Sequence, residues 1–190
     1  LRYFGGFGTN VTEDMTLEPS LSIQAGTETD GTLGHFHWIY RASLAFDFSP
    51  LPDNAVIDSV VLDIYISYNS GGSGIAIFAP SRYEGGFETD YTNVVNGYTG
   101  PDAITTSAYT LGIGWEEFNL NNTLPAHLNG KYAVYGLVEY NHDYLNNVPD
   151  LHENPLLTIN LEEPYPPRLT IYYHSTPSPS PKKIKIIGII

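Results

Sequence analysis

Cysteine is absent from this chain of 190 residues. That absence excludes disulfides, thiolate metal sites and thiol nucleophiles together. Packing must then supply the stability, in whatever compartment the chain works. Basic residues are also scarce: eight Lys and Arg stand against 21 Asp and Glu, a formal net charge of −13. Phosphate backbones and anionic lipid surfaces attract basic proteins, so nucleic acid and membranes are poor candidates for partners. No apolar run approaches the ~18–20 residues of a membrane-spanning helix. No leader peptide is visible, yet the chain starts at Leu1, which predicts a processed chain or a segment of something longer. The nucleophile elbow, the P-loop, the dinucleotide fingerprint and a Cys–His pairing are all missing, so no enzyme activity is expected.

What is plentiful is tyrosine (15 residues), glycine (18) and proline (14), with charged residues at only 15%. This balance suits a single all-β domain with many turns, plus an extension, and it is commoner on secreted or assembled surfaces than in cytosolic enzymes. The clearest pattern runs from Arg41 to Tyr68. Ala42, Leu44, Phe46 and Phe48 alternate with Arg41, Ser43, Ala45 and Asp47, the period of a strand with one buried face. Ser49-Pro50-Leu51-Pro52-Asp53-Asn54 breaks the ladder and turns the chain. A second strand follows, with Val60, Leu62, Ile64, Ile66 and Tyr68 on the inner face.

The run Arg41-x-x-Leu44-x-Phe46-Asp47-x-Ser49-x-Leu51-Pro52, then Ala55-x-Ile57-x-Ser59-x-x-Leu62-x-Ile64-Tyr65, resembles the signature of DNRLRE domains, a family related to the family-96 carbohydrate-binding modules. Trp115-Glu116-Glu117-Phe118-Asn119-Leu120 is similar to that family's tryptophan strand, and Pro167-Arg168-Leu169-Thr170-Ile171-Tyr172-Tyr173 to its closing strand. The resemblance spans roughly residues 20 to 173, with boundaries good to about 2–4 residues. It implies a β-sandwich of jelly-roll type without catalytic machinery, found in extracellular enzymes, cell-surface proteins and virions. It also makes Arg41 a signature residue, expected in a structural ion pair with Glu162 or Glu163 beside Arg168. Asp47 shares the outward face of that strand.

Elsewhere, Leu17–Gly26 reads as a strand, Thr27–Gly34 as a polar loop, and Leu124–Leu128 as one helical turn. Residues 79–110 and 141–155 lack a period and are long for loops in a compact domain, which points to the periphery and to contacts. Their aromatic residues Tyr83, Tyr91, Tyr98 and Tyr144, with Trp38, are candidates for a platform on which an apolar sugar face stacks. Trp115 is expected in the core. Adjacent carboxylates (Glu116-Glu117, Glu162-Glu163) point to opposite faces of a strand and do not converge on one substrate. His35 and His37 share a strand face, but a zinc site needs a further ligand, such as His142 or His152. Asp143, Asn146 and Asp150 are a weak calcium candidate without the usual loop signature, so no cofactor is expected.

The tail divides from the body at residue 174. Five basic against 21 acidic residues give the first 174 residues −16, and the three lysines that follow give +3. Residues 175–181, rich in Pro and Ser, read as an extended linker. Residues 182–190 read as a β-arm carrying Lys182, Lys183, Lys185, Ile184, Ile186, Ile187, Ile189 and Ile190. So many isoleucines need cover, and the arm is expected to add to the sheet of a neighbouring subunit. The sequence therefore predicts a non-catalytic structural or adhesion module of an extracellular, cell-surface or virion assembly, an appendage, capsid or tail component, with other subunits of the same assembly as partners. The alternative is a carbohydrate-binding module with a polysaccharide partner.

Overall fold

The computed structural model describes residues 2–4, 20–30, 34–72, 74–79, 103–108, 110–124, 126–127, 132–145, 147, 155–175 and 178–187. In chain order the strands are β1 (Arg2–Phe4), β2 (Ser20–Asp30), β3 (Gly34–Tyr40), β4 (Ala42–Asp47), β5 (Ala55–Ser70), β6 (Ile75–Phe78), β7 (Thr105–Ser107), β8 (Gly114–Asn119), β9 (Ala126–His127), β10 (Tyr132–Glu139), β11 (Leu156–Asn160), β12 (Arg168–Ser175) and β13 (Ser178–Ile187). Every pairing is antiparallel. The larger sheet runs β1-β3-β2-β11-β5-β12-β13, with β8 also paired to β5; the smaller runs β4-β10-β6-β7, with β9 paired to β10. The chain is an all-β sandwich.

The core is the interface between the two sheets. From β5 it takes Val60, Leu62, Ile64 and Ile66, all fully buried, and from β4 Ala42, Leu44 and Phe46. Both strands alternate as their sequence requires. Tyr68 departs from the alternation and is 50% exposed. A bulge explains it: Thr158 faces Tyr68 while Ile159 faces Ile66, so Ser67 is extra and the side chains beyond it swap faces. β10 is buried along nearly its whole length, because it lies between β4 and β6 and is covered on both faces. Gly136 in β10 faces Phe78 in β6, and a Cβ there would sit 2.6 Å from the Phe78 ring.

Several expectations change. β2 continues to Asp30 and pairs with β3 across the stretch expected to be a loop. Ala126–His127 is a short strand on β10, not a helical turn, because β10 offers it a free edge. Thr105–Ser107, within the first long loop, is a strand on β6. The second long loop opens with a π-helical turn, Tyr140–Tyr144, that tucks His142 and Asp143 into the body.

The tail differs most. Residues 178–181 belong to β13 together with the lysine–isoleucine run, and β13 pairs with β12 of its own chain, from Ser175↔Ser178 to Arg168↔Ile187. Ile184 and Ile186 pack against the core, whereas Lys182, Lys183, Lys185 and Ile187 are exposed. The separate linker and the arm reaching for another subunit are thus replaced by a hairpin. Its physical basis is the free edge of β12: the nearest partner for an apolar strand is the edge it has just left. Ile189 and Ile190 lie outside the described residues.

Candidate functional site

Arg41 alone separates β3 in the larger sheet from β4 in the smaller, so it stands at a corner between the layers. Its Nε donates to Asp143 Oδ2 at 2.6 Å and its Nη2 to Asp143 Oδ1 at 2.5 Å. The two side chains are 1% and 0% exposed. The expected pairing with Glu162 or Glu163 is not formed. Those two residues are exposed in the turn between β11 and β12, in the other sheet. Arg41 instead meets what lies beyond β10, because Leu137 faces Ala42 and the chain turns inward just after. Asp47 accepts from Ser49 N at 2.8 Å and so shapes the turn after β4.

Around this pair lies a polar cluster. Glu139, 1% exposed, caps the π-helical turn: Oε1 accepts from Asn141 N at 3.0 Å and Oε2 from His142 N at 2.6 Å. Burial pushes its carboxyl above the ordinary carboxylate range, partly offset by those N–H groups and by His142. His142 Nδ1 lies 3.1 Å from Asn147 O, and its Nε2 3.2 Å from Asn141 Nδ2. A second bond, Asn147 Nδ2 to Asn141 Oδ1 at 2.8 Å, fixes the Asn141 amide. Asn141 therefore donates to Nε2, and Nδ1–H donates to Asn147. Arg41, Glu139, His142 and Asp143 have buried side chains bonded within the cluster, with Asn141 and Asn147 exposed at its rim, an arrangement that acts as an architectural clamp on the turn. The calcium candidate loses Asp143 to Arg41 on the same ground, and Asn146, Asp150 and His152 lie outside the described residues. Among the described residues no three metal-ligating side chains come together.

The aromatic candidates fare unevenly. Tyr83, Tyr91 and Tyr98 lie outside the described residues. Trp38 is placed in β3 opposite Tyr3 and Gly26. Tyr144 stacks on Tyr140 at 5.7 Å between centroids and packs with it against the small cluster of Ala76, Phe78 and Val138, so it is not a free platform.

A different aromatic group lies on the outer face of the larger sheet, with Trp115 exposed and Tyr65 and Tyr165 half-buried. On β8, Phe118 points to the core, so Trp115 and Glu117 point away from it, and Trp115 is 39% exposed. Tyr65 lies opposite Trp115 on the outer face of β5. Tyr165, from the turn before β12, stacks on Tyr65 at 4.0 Å and 21°, while Trp115 meets the two tyrosines edge-on at 5.6 and 6.3 Å. The guanidinium carbon of Arg168 lies 4.0 Å from the centroid of Trp115. This cation–π contact, worth about 0.5–2 kcal/mol, holds the indole in place. Arg168 Nε is buried without a hydrogen-bond partner among the described residues.

Next to this ledge runs a row of charge. Ile187, Arg168, Asp63 and Glu117 stand side by side on β13, β12, β5 and β8. Burial, then Glu117, pushes the Asp63 carboxyl up, while Lys185 and Arg168 draw it down. Trp115 is expected in the core because it matches the tryptophan strand of the resembled family, and it is found on the outer face instead. The sign missed was Phe118 and Leu120: both are buried, and odd and even positions cannot share a face.

Comparison of the chain with protein-family models, with curated proteins and with solved structures finds no match.

Proposed function

We propose that this chain is a non-catalytic carbohydrate-binding module that works as an adhesion component of an extracellular, cell-surface or virion assembly. The observation that carries the reading is the ledge of Tyr65, Trp115 and Tyr165 on the outer face of the larger sheet, bordered by Arg168, Asp63 and Glu117. Pyranose rings have apolar faces that stack on aromatic rings and equatorial hydroxyls that bond polar side chains. An exposed tryptophan pinned by an arginine is pre-organised for such stacking, since little side-chain freedom is left to lose. The resemblance to DNRLRE domains and to family-96 carbohydrate-binding modules agrees with this reading. Strand addition between subunits, the other reading, has lost its main support now that β13 completes its own sheet. A protein partner at that edge keeps one observation in its favour, Ile187 at 60% exposure on the outermost strand.

The test is affinity electrophoresis of the chain against a panel of polysaccharides. We expect retardation on at least one of them, and loss of at least about tenfold in affinity for Trp115→Ala, the size of one stacking contact. Retardation unchanged by Trp115→Ala removes the ledge as the site, and no retardation on any polysaccharide removes the carbohydrate reading.

A further inference from the structure

The charge at the ledge narrows the class of sugar. Two acids, Asp63 and Glu117, face each other across β5 and β8, and two bases, Arg168 and Lys185, approach from β12 and β13. The patch is thus electrically balanced, within a chain of −13. A polyanion would gain nothing from such a row and would be repelled by the rest of the surface. A polycation would meet Arg168 and Lys185. An uncharged sugar meets neither penalty. Its hydroxyls are donors as well as acceptors, and they match a row in which carboxylates accept beside a guanidinium that donates.

We infer that the ligand of this face is a neutral polysaccharide, its sugar faces on the Tyr65–Trp115–Tyr165 ledge and its hydroxyls donating to Asp63 and Glu117. This rests on the carbohydrate reading above and adds the chemical class and the polar half of the site. Glu117 is exposed and Asp63 half-buried, so both can be reached from the outer face. Arg168 serves twice: it holds Trp115 from one side and sits next to Asp63 in the row.

The experiment uses the whole chain in titration calorimetry against neutral polysaccharides (β-glucan, xylan, mannan) and acidic ones (polygalacturonate, chondroitin sulfate), at about 0.05 and 0.5 M salt, conditions that separate screened from unscreened charge. Binding to a neutral polymer with little change between the two salts is expected. Asp63→Asn and Glu117→Gln should each weaken it about tenfold, the loss of one hydrogen bond to a charged group. Glu117→Gln is the safer variant, because an exposed side chain is not needed for folding. Binding to acidic polymers alone, falling with salt, overturns the neutral class while the carbohydrate reading stands. Neutral binding that both variants leave unchanged overturns the role of the carboxylate row. No binding to any polymer overturns this inference and the reading beneath it together.

Discussion

Arg41 places a full positive charge where water does not reach, and its pairing with Asp143 makes that tolerable. Such pairs are weak sources of net stability, because desolvation cancels most of the attraction. Breaking one is a different matter. Arg41→Ala leaves Asp143 charged and buried, and should lower the unfolding free energy by about 3–5 kcal/mol in urea titration; Asp143→Leu combined with Arg41→Met should cost much less than either change alone. The resemblance drew attention to Arg41 and to its structural role, but not to its partner. Asp143 lies 102 positions away, in a turn whose inward direction depends on β10 being covered on both faces. Nothing local to NHDY encodes that. Glu139 gives the second prediction at this scale. Its carboxyl titrates higher in the folded protein than its ordinary value of 4.5. Its contribution to stability is therefore full below that pH and is lost as pH rises through the folded value. Stability should increase as pH falls through the raised folded value towards 4.5, and the slope should be shallower in Glu139→Gln, whatever the variant's absolute stability. Equal slopes would place the proton uptake elsewhere.

At the scale of elements, a strand is legible in a sequence to the extent that one face is wet. β4 and β5 have a buried face and a wetter one, and their alternation located them and the turn between them. β10 is buried on both faces, so no wet face in its sequence marks its central place. β7 and β9 are three and two residues long and exist only because β6 and β10 offer edges. β13 shows the limit most clearly. Its isoleucines and lysines alternate, and its need for a partner strand could be read, but not which strand. The structure supplies β12. The prolines Pro179 and Pro181 fit only a strand at the rim of a sheet, where a missing N–H donor costs nothing. Deleting residues 178–190 should therefore not release a sound domain. It uncovers Ile171 and Leu169 beneath Ile184 and Ile186, partial burial of each isoleucine being worth up to about 1.5–3 kcal/mol, and it bares the edge of β12. Lower stability and aggregation on size exclusion are expected. A stable, soluble truncation would show that β13 belongs elsewhere. In the same way, Gly136→Ala should destabilise by about 1–3 kcal/mol in urea titration, since a methyl group at that position overlaps the Phe78 ring.

At the scale of the molecule, the candidate site was visible in kind but not in place. The sequence points to aromatic side chains and places most of them in loops, where function is commonly carried. The ledge instead spans a sheet face and is assembled from β5, β8 and the turn before β12. These are joined only by register: Trp115 meets Tyr65 because Phe118 meets Leu62. Function and association can then be separated on one face of the protein. The ledge lies on the outer side of the larger sheet, and the rim of that sheet at β13 carries proline and lysine, both of which oppose edge-to-edge pairing. A net charge of −13 adds repulsion between copies. The chain should accordingly sediment as a monomer of 21.0 kDa at micromolar concentration. Raising salt from about 0.05 to 0.5 M screens the repulsion, yet it should not create dimers, because screening leaves the sheet edge as blunt as before. Cross-linking of Lys183 to Asp58 or Glu162 of a second copy should stay at background. If dimers form and disappear when β13 is tied to β12 by a Tyr172→Cys, Lys183→Cys pair, facing residues in the register, then the hairpin is being exchanged between chains. The assembly reading would regain through a swapped strand the support it lost through a folded one.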